Sequence, residues 1–187
     1  MNTQGVSTVP RFVPPTLEQL TPEQKEIYEV VGRGRPKVTG PFSVLLRNAP
    51  LARAANDMTL ALRENGKLGP RLYELIVLMV VRHWGAHYAW AVHEQPGIKA
   101  GLPADAVEAI RLGRKATFKQ ADEQVIYDAI SEVLATKTMS QANYDKLIKQ
   151  FGVDLTIEIV AVAGFYGTIS IIINVFEVPT PTGGKAF

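Results

Sequence analysis

Segments with the apolar spacing of a helix that buries one face fill most of this 187-residue chain. Helix signals mark their ends: Thr21-Pro22 can cap and open one helix, and Asn65-Gly66 can close another. The run LIVLMVV (75–81) has the composition of a buried strand, but no partner strand occurs nearby, so its context favours a helix. The sequence therefore predicts an all-α protein of about eight helices.

Glycine and proline separate the predicted helices. These lie at about 22–32, in two pieces within 42–65, at 71–84, in a short helix after Gly85, and at 103–113, 121–136, 140–152 and 154–177. Pro96 should end or kink the short helix, because proline lacks a backbone donor and clashes with the preceding turn. The length suits one domain, 1–187, with a loop at 32–41 and extended segments at 1–15 and 178–187.

The charges of the chain are nearly balanced. It carries 20 basic and 18 acidic residues, interspersed, so no basic stripe is available for a phosphate backbone and nucleic acid is not an expected partner. The absence of cysteine excludes disulfides, thiolate nucleophiles, dithiol redox chemistry and thiolate metal sites. The first residues lack the apolar core of a signal peptide, and we expect a cytoplasmic protein.

One apolar run, IVAVAGFYGTISIIINVF (159–176), is uncharged and reaches the length of a membrane-spanning helix. It carries Thr168, Ser170 and Asn174, and the rest of the chain has a soluble composition. A helix that is apolar on all sides can also lie inside a protein or an oligomer. We therefore expect no membrane partner and place this helix in the core or at a subunit interface.

The stretch HWGAHYAWAVHE (83–94) contains all three histidines of the chain. On a helix, Ala86, Ala89 and His93 share one face, and the small alanines leave room for a substrate or for a close helix contact. His83 and His87 have the spacing of a metal-binding pair, but Gly85 lies between them and no HExxH pattern surrounds them. The residues therefore disfavour a metal site, and their spacing leaves an imidazole site and a packing role equally open.

Residues 71–113, from RLYELIVLMVV to AIRLG, resemble the signature region of the carboxymuconolactone decarboxylase family, which includes the AhpD-type alkylhydroperoxidases. The resemblance extends more loosely to RFVPPTLEQLTPEQKEIYEVV before this region and INVFEVPTPTG after it. It implies an AhpD-like helical bundle and assembly as a homo-oligomer, a trimer or a hexamer.

The thiol peroxidase branch of that family has a glutamate, two cysteines and a histidine at fixed spacing. In this chain Glu74 and His93 match the outer positions, while Ala86 and Ala89 stand where the cysteines would be. No thiolate is present to attack a peroxide, so thiol peroxidase activity is excluded. Tyr88 matches another position of that branch's proton relay.

The decarboxylase branch also lacks the cysteine pair and often shows Tyr-Glu-Trp-x-x-His. Here the string is Tyr88-Ala89-Trp90 followed by His93, so a carboxylate is missing at Ala89. The resemblance implies a cofactor-free decarboxylase or related lyase acting on a small carboxylated lactone of the 4-carboxymuconolactone type. Stabilising the enolate and returning a proton to carbon needs no metal or organic cofactor.

The expected roles follow from side-chain chemistry. His93 is the candidate proton donor, since an unperturbed imidazole has a pKa of about 6.5, and Glu74 is the candidate that orients it. The candidate substrate-binding residues are Tyr88, Arg82, His83 and Trp90.

Each of these residues also has a structural interpretation: Glu74 can pair with Arg71 or Arg82, and His93 can be a core histidine. The alternative function is a catalytically altered relative that binds a small aromatic or lactone ligand or serves in an assembly.

Overall fold

The computed structural model describes residues 10–33 and 38–187, and within these the regular structure is entirely helical. The predicted extended segment 1–15 and loop 32–41 lie partly outside the described residues. The all-α prediction is confirmed. The helices are α1 Pro22–Gly32, α2 Pro41–Leu45, α3 Ala49–Thr59, α4 Pro70–His83, α5 His87–Lys99, α6 Ala104–Arg111, α7 Ala121–Thr136 and α8 Gln141–Val175.

Side-chain caps fix several helix starts where the sequence predicted them. Thr21 accepts a hydrogen bond from the Gln24 backbone at 3.2 Å, and the Gln24 side chain accepts from the Thr21 backbone at 3.0 Å. Ser140 caps α8 in the same manner, by accepting from the backbone of Asn143. Each cap satisfies backbone donors that the first helical turn leaves unpaired.

Helix α4 is the centre of the molecule, packed against α5, α7 and α8. Its residues 75–78 and 80–81 have no solvent exposure. Burying each such side chain stabilises the fold by roughly 1.5–3 kcal/mol. Burial on all sides also explains the strand-like composition of LIVLMVV, because a fully buried helix and a fully buried strand both require continuous apolar residues.

A tight turn at Gly85 joins α4 to α5. Gly85 has φ +67°, a backbone conformation that favours glycine, and α5 begins at His87 without extending back to His83. Of the two predicted effects of Pro96, an end to α5 is wrong, because the helix continues through Pro96 to Lys99. The carbonyl that loses its helical partner belongs to Val92, a residue 40% exposed, where water can donate in its place.

Helix α8 changes direction at Gly152, whose φ of +74° and ψ of 174° are not helical. This break separates the two helices predicted at 140–152 and 154–177. Among the described residues α8 alone is long and apolar enough to cross a membrane, yet only 39% of its most apolar 18-residue stretch is buried. Its exposed apolar face consists of Val153, Ile157, Val160, Gly164, Thr168, Ile171 and Val175.

The C-terminal tail, 178–187, folds back onto the α4–α5 turn of its own chain. The Phe187 ring lies 4.3 Å from the His87 ring and 5.5 Å from that of Trp90, between centroids. The Arg82 guanidinium lies 4.4 Å from the centre of the same Phe187 ring. The Ala186 backbone donates to His87 Nδ1 at 3.2 Å.

Candidate active site

Helices α2, α3, α5 and α8 surround a cavity of about 190 Å³. Its wall is about half apolar, with Phe42, Val92, Phe165, Ile169 and Ile173 among the apolar lining side chains. A cavity of about 150 Å³ can hold benzene, so this one accommodates a single small ring with one or two substituents. Its polar side chains are Thr39, Thr59, Arg63, Tyr88, His93 and Tyr166.

The structure brings Glu74 and His93 together beside this cavity. Glu74 lies in the first half of α4 and His93 in α5, and the Gly85 turn sets the two helices side by side. Glu74 Oε2 lies 2.7 Å from His93 Nδ1, with the residues 3% and 8% exposed. A carboxylate only accepts, so Nδ1 carries the proton and Nε2 is directed elsewhere.

His93 Nε2 lies 3.3 Å from the hydroxyl of Tyr166, and that hydroxyl lies 2.8 Å from the hydroxyl of Tyr73. With neutral His93, Tyr73 donates to Tyr166 and Tyr166 donates to Nε2, which gives one continuous hydrogen-bonded chain down to Glu74. Burial raises the pKa of Tyr73 to about 12 and raises that of Tyr166 well above its ordinary value. Both phenols therefore keep their protons at neutral pH.

Sequence analysis missed Tyr166 and Tyr73. Tyr166 occurs in the apolar run of α8, where an aromatic residue with a polar tip indicates a buried hydrogen bond but not its partner. That signal was available. The partners lie 73 and 93 positions away along the chain, so only the packing of α8 against α4 and α5 identifies them.

Sequence analysis also missed Arg63, which lines the cavity from the π-helical turn Leu60–Glu64 at the end of α3. Arg63 makes no ion pair or side-chain hydrogen bond with any residue that the structure describes. Arg63 and Tyr166 line the same cavity, and the charge of Arg63 opposes the larger effect of burial on the pKa of Tyr166. Short π-helical segments occur frequently at functional sites.

Of the predicted substrate-binding residues, Tyr88 lines the cavity. Its hydroxyl lies 3.5 Å from that of Thr39, and Gly40 lies directly behind it. A Cβ atom at Gly40 would lie 2.5 Å from the Tyr88 hydroxyl, so only glycine leaves room for the ring in this position.

The other three predicted substrate-binding residues lie outside this cavity. Arg82 donates from Nε to the Arg111 carbonyl at 2.8 Å, and the His83 ring packs edge-on against Trp84. Trp90 is fully buried, with no hydrogen bond from Nε1 to any described residue. In this geometry the three side chains stabilise the α4–α5 region.

The two alanines in the cysteine positions have different surroundings. Ala89 lines the cavity, whereas Ala86 is fully buried at the start of α5. The small side chain at position 89 therefore leaves space for a ligand, and the one at position 86 serves helix packing.

The two histidines with the spacing of a metal-binding pair lie on different helices. His83 ends α4 and His87 begins α5, so the two do not share a helix face. Residues 10–33 and 38–187 contain no group of three or more His, Cys, Asp or Glu side chains able to hold a metal ion.

Solved structures of other proteins share the fold of this chain. The sequence matches no protein-family model, and no curated protein matches it. The apo form of the debrominase Bmp8 has a TM-score of 0.72 at 13% identity, over 91% of each chain. A peroxidase-related protein from Silicibacter sp. TM1040 has a TM-score of 0.73 at 16% identity, over 100% of each chain.

The fold is AhpD-like. A cysteine-to-alanine variant of Bmp8 in complex with 2,3,4-tribromopyrrole gives a TM-score of 0.69 at 12% identity, over 97% of this chain and 95% of that one. Sequence identities this low establish a shared fold and leave the activity to be inferred from the site.

Proposed function

We propose that this protein is a cofactor-free acid–base enzyme, and specifically a decarboxylase of a small carboxylated lactone of the 4-carboxymuconolactone type. The supporting observation is the buried Glu74–His93 pair at a small cavity with a partly apolar wall. A purely structural buried histidine would also hydrogen-bond through its ring nitrogens, but it would have no need to line a cavity, as His93 does. His93 has a carboxylate on Nδ1 and directs Nε2 toward a hydroxyl on the cavity wall, as a proton-transfer group requires.

The proposed reaction begins with loss of carbon dioxide. The bond between a ring carbon and its carboxylate breaks, and the electron pair passes into the conjugated lactone as an enolate with its charge on the carbonyl oxygen. Tyr166 is the candidate hydrogen-bond donor to this oxygen, because its buried phenol keeps its proton. Protonated His93 then transfers its Nε2 proton to carbon and regains a proton from solvent.

Glu74 has a positioning role in this proposal. It accepts from His93 Nδ1, which fixes the ring orientation and leaves Nε2 as the nitrogen that exchanges protons with the substrate. A positioned acid–base group typically contributes about 10²–10⁴-fold to a rate. Among the described lining residues there is no carboxylate, so His93 is the candidate there for returning a proton to carbon.

The test is carbon dioxide release from 4-carboxymuconolactone in the presence of a chelator. Wild type is compared with His93→Gln, which keeps a donor for Glu74, and with His83→Gln, which removes a histidine outside the cavity. We expect wild type and His83→Gln to release carbon dioxide and His93→Gln to lose about 10²-fold or more in rate.

Two outcomes would count against the proposal. Equal rates in wild type and His93→Gln would remove His93 from the chemistry. Binding of the lactone by a folded wild type without any release would favour the ligand-binding alternative, which the missing carboxylate at Ala89 also supports.

A further inference from the structure

We infer that Arg63 is the anion-binding residue of the cavity and holds a carboxylate of the ligand that does not react. The role of Arg63 in turnover rests on the proposed function, whereas its binding of an anion does not. It assigns the site to small ring compounds that carry a fixed carboxylate, in preference to neutral compounds of the same shape.

The first reason is the charge of the cavity. Arg63 is the sole permanently charged side chain among its described lining residues, and no Asp or Glu lines it. The nearby carboxylate of Glu74 is already bound to His93 Nδ1. A ligand that enters the cavity therefore meets one positive charge without a matching negative one, and an anion supplies the partner.

The second reason is that the guanidinium is free to bind. The Arg residues at positions 53, 71, 82 and 111 hydrogen-bond to carboxylates or carbonyls of the chain. Arg63 has no such partner among the described residues, and although the same holds for Arg33, Arg47 and Arg114, Arg63 is the one of these four that lines the cavity. A guanidinium can bind both oxygens of a carboxylate at once, which orients the ligand as well as attracting it.

The third reason comes from the reaction. A carboxylate that leaves as carbon dioxide loses its negative charge, so a guanidinium bound to it would stabilise the ground state and slow the step. Arg63 can accelerate turnover only if it holds a second carboxylate that keeps its charge. The reacting carboxylate then lies against the apolar wall, where poor solvation favours its conversion to neutral carbon dioxide.

The experiment measures binding without turnover. The probe is 2-(5-oxotetrahydrofuran-2-yl)acetate, a stable lactone whose one carboxylate is the side-chain carboxylate that does not react, and the neutral control ligand is its carboxamide. Calorimetric titration compares wild type, Arg63→Gln, Arg63→Lys and Arg47→Gln. Arg47 is an exposed arginine that does not line the cavity, so Arg47→Gln makes the same charge change elsewhere.

We expect wild type and Arg47→Gln to bind the carboxylate alike, and Arg63→Gln to bind it at least about tenfold more weakly. Arg63→Lys should be intermediate, because an ammonium keeps the charge but not the planar fork. The carboxamide should bind wild type weakly, with no loss in Arg63→Gln. Equal carboxylate affinity in wild type and Arg63→Gln, or no binding to wild type at millimolar probe, would overturn the inference.

The experiments distinguish a failure of the anion-binding inference from a failure of the proposed decarboxylase function. Arg63-dependent binding with no carbon dioxide release would leave the anion site in place and remove the decarboxylase proposal. Release that depends on His93, with KM for 4-carboxymuconolactone unchanged in Arg63→Gln, would keep the decarboxylase and remove Arg63 from substrate binding.

Discussion

Single residues of the candidate site depend on each other for stability as well as for chemistry. Glu74 is 3% exposed, and its carboxylate accepts a hydrogen bond from His93. A buried carboxylate that loses its partner cannot regain solvation, so truncating the histidine affects folding and activity together.

We therefore predict that His93→Ala destabilises the protein by about 3–5 kcal/mol, because it leaves the Glu74 carboxylate buried without its partner. His93→Gln should lose less, since an amide still donates to the carboxylate. The double variant Glu74→Gln/His93→Ala should recover part of the loss. Urea unfolding of the four proteins measures these differences, and a double variant no more stable than His93→Ala would contradict the coupling.

Tyr166 gives the second prediction at this scale. Tyr166→Phe should lower turnover by about 10²–10³-fold, because it removes the hydroxyl expected to stabilise the enolate oxygen. Tyr73→Phe is the matched control: it removes the second phenol of the pair but no group that lines the cavity, and should reduce turnover much less.

The pH dependence of turnover tests the same phenol. Burial raises the pKa of Tyr166 above its ordinary value of 10.0, so the hydroxyl keeps its proton up to and beyond that pH. Turnover should show no loss from phenol ionisation below pH 10.0. An alkaline loss below that value which disappears in Tyr166→Phe would show that Tyr166 is not a protonated donor.

At the scale of elements, the docking of the C-terminal tail depends on the protonation state of His87. Burial, followed by the charges of Lys185 and Arg82, lowers the pKa of His87 from its ordinary value of 6.5, in accord with a neutral ring that accepts from Ala186. A lowered pKa means that this contribution to docking is complete above pH 6.5 and is lost as the pH falls through the lowered value.

We predict that the tail amides exchange hydrogen faster, relative to their chemical rates, as the pH falls below 6.5. Hydrogen exchange with mass spectrometry of 178–187 measures this change. His87→Gln should remove most of the pH dependence, and His83→Gln should retain it. Dependence that persists unchanged in His87→Gln would assign it to another group.

The elements show what the sequence could predict and what it could not. Local signals fixed the helices, because caps such as Thr21 and breaks such as Gly152 act through neighbouring residues. The pairing of Glu74 with His93 was predicted from the spacing of these residues in the family that the chain resembles. The neighbouring residues of Arg63 and Tyr166 gave no indication that these side chains line a cavity, since each reaches it only through the packing of distant helices. Pro96 failed as a helix end because a solvent-facing carbonyl tolerates the missing donor.

At the scale of the whole molecule, α8 presents an apolar face that the single chain leaves uncovered. Ile157 is 63% exposed, and Val160, Ile171 and Val175 follow on the same face at helical spacing. Soluble monomers rarely expose a continuous apolar stripe of this length, and Gly164 in its middle would allow another helix to approach closely. We expect this face to contact further copies of the chain.

The last prediction is that the protein sediments as a homo-oligomer, a trimer or a hexamer, and not at the 20.5 kDa of one chain. The double variant Ile157→Lys/Ile171→Lys should dissociate it, because burying two lysines without partners costs more than the interface regains. Ala142→Lys adds charge at an exposed position of α8 before the Gly152 break and should leave the assembly intact. A wild type that sediments as a folded monomer at micromolar concentration would show that the apolar face of α8 does not mediate self-association.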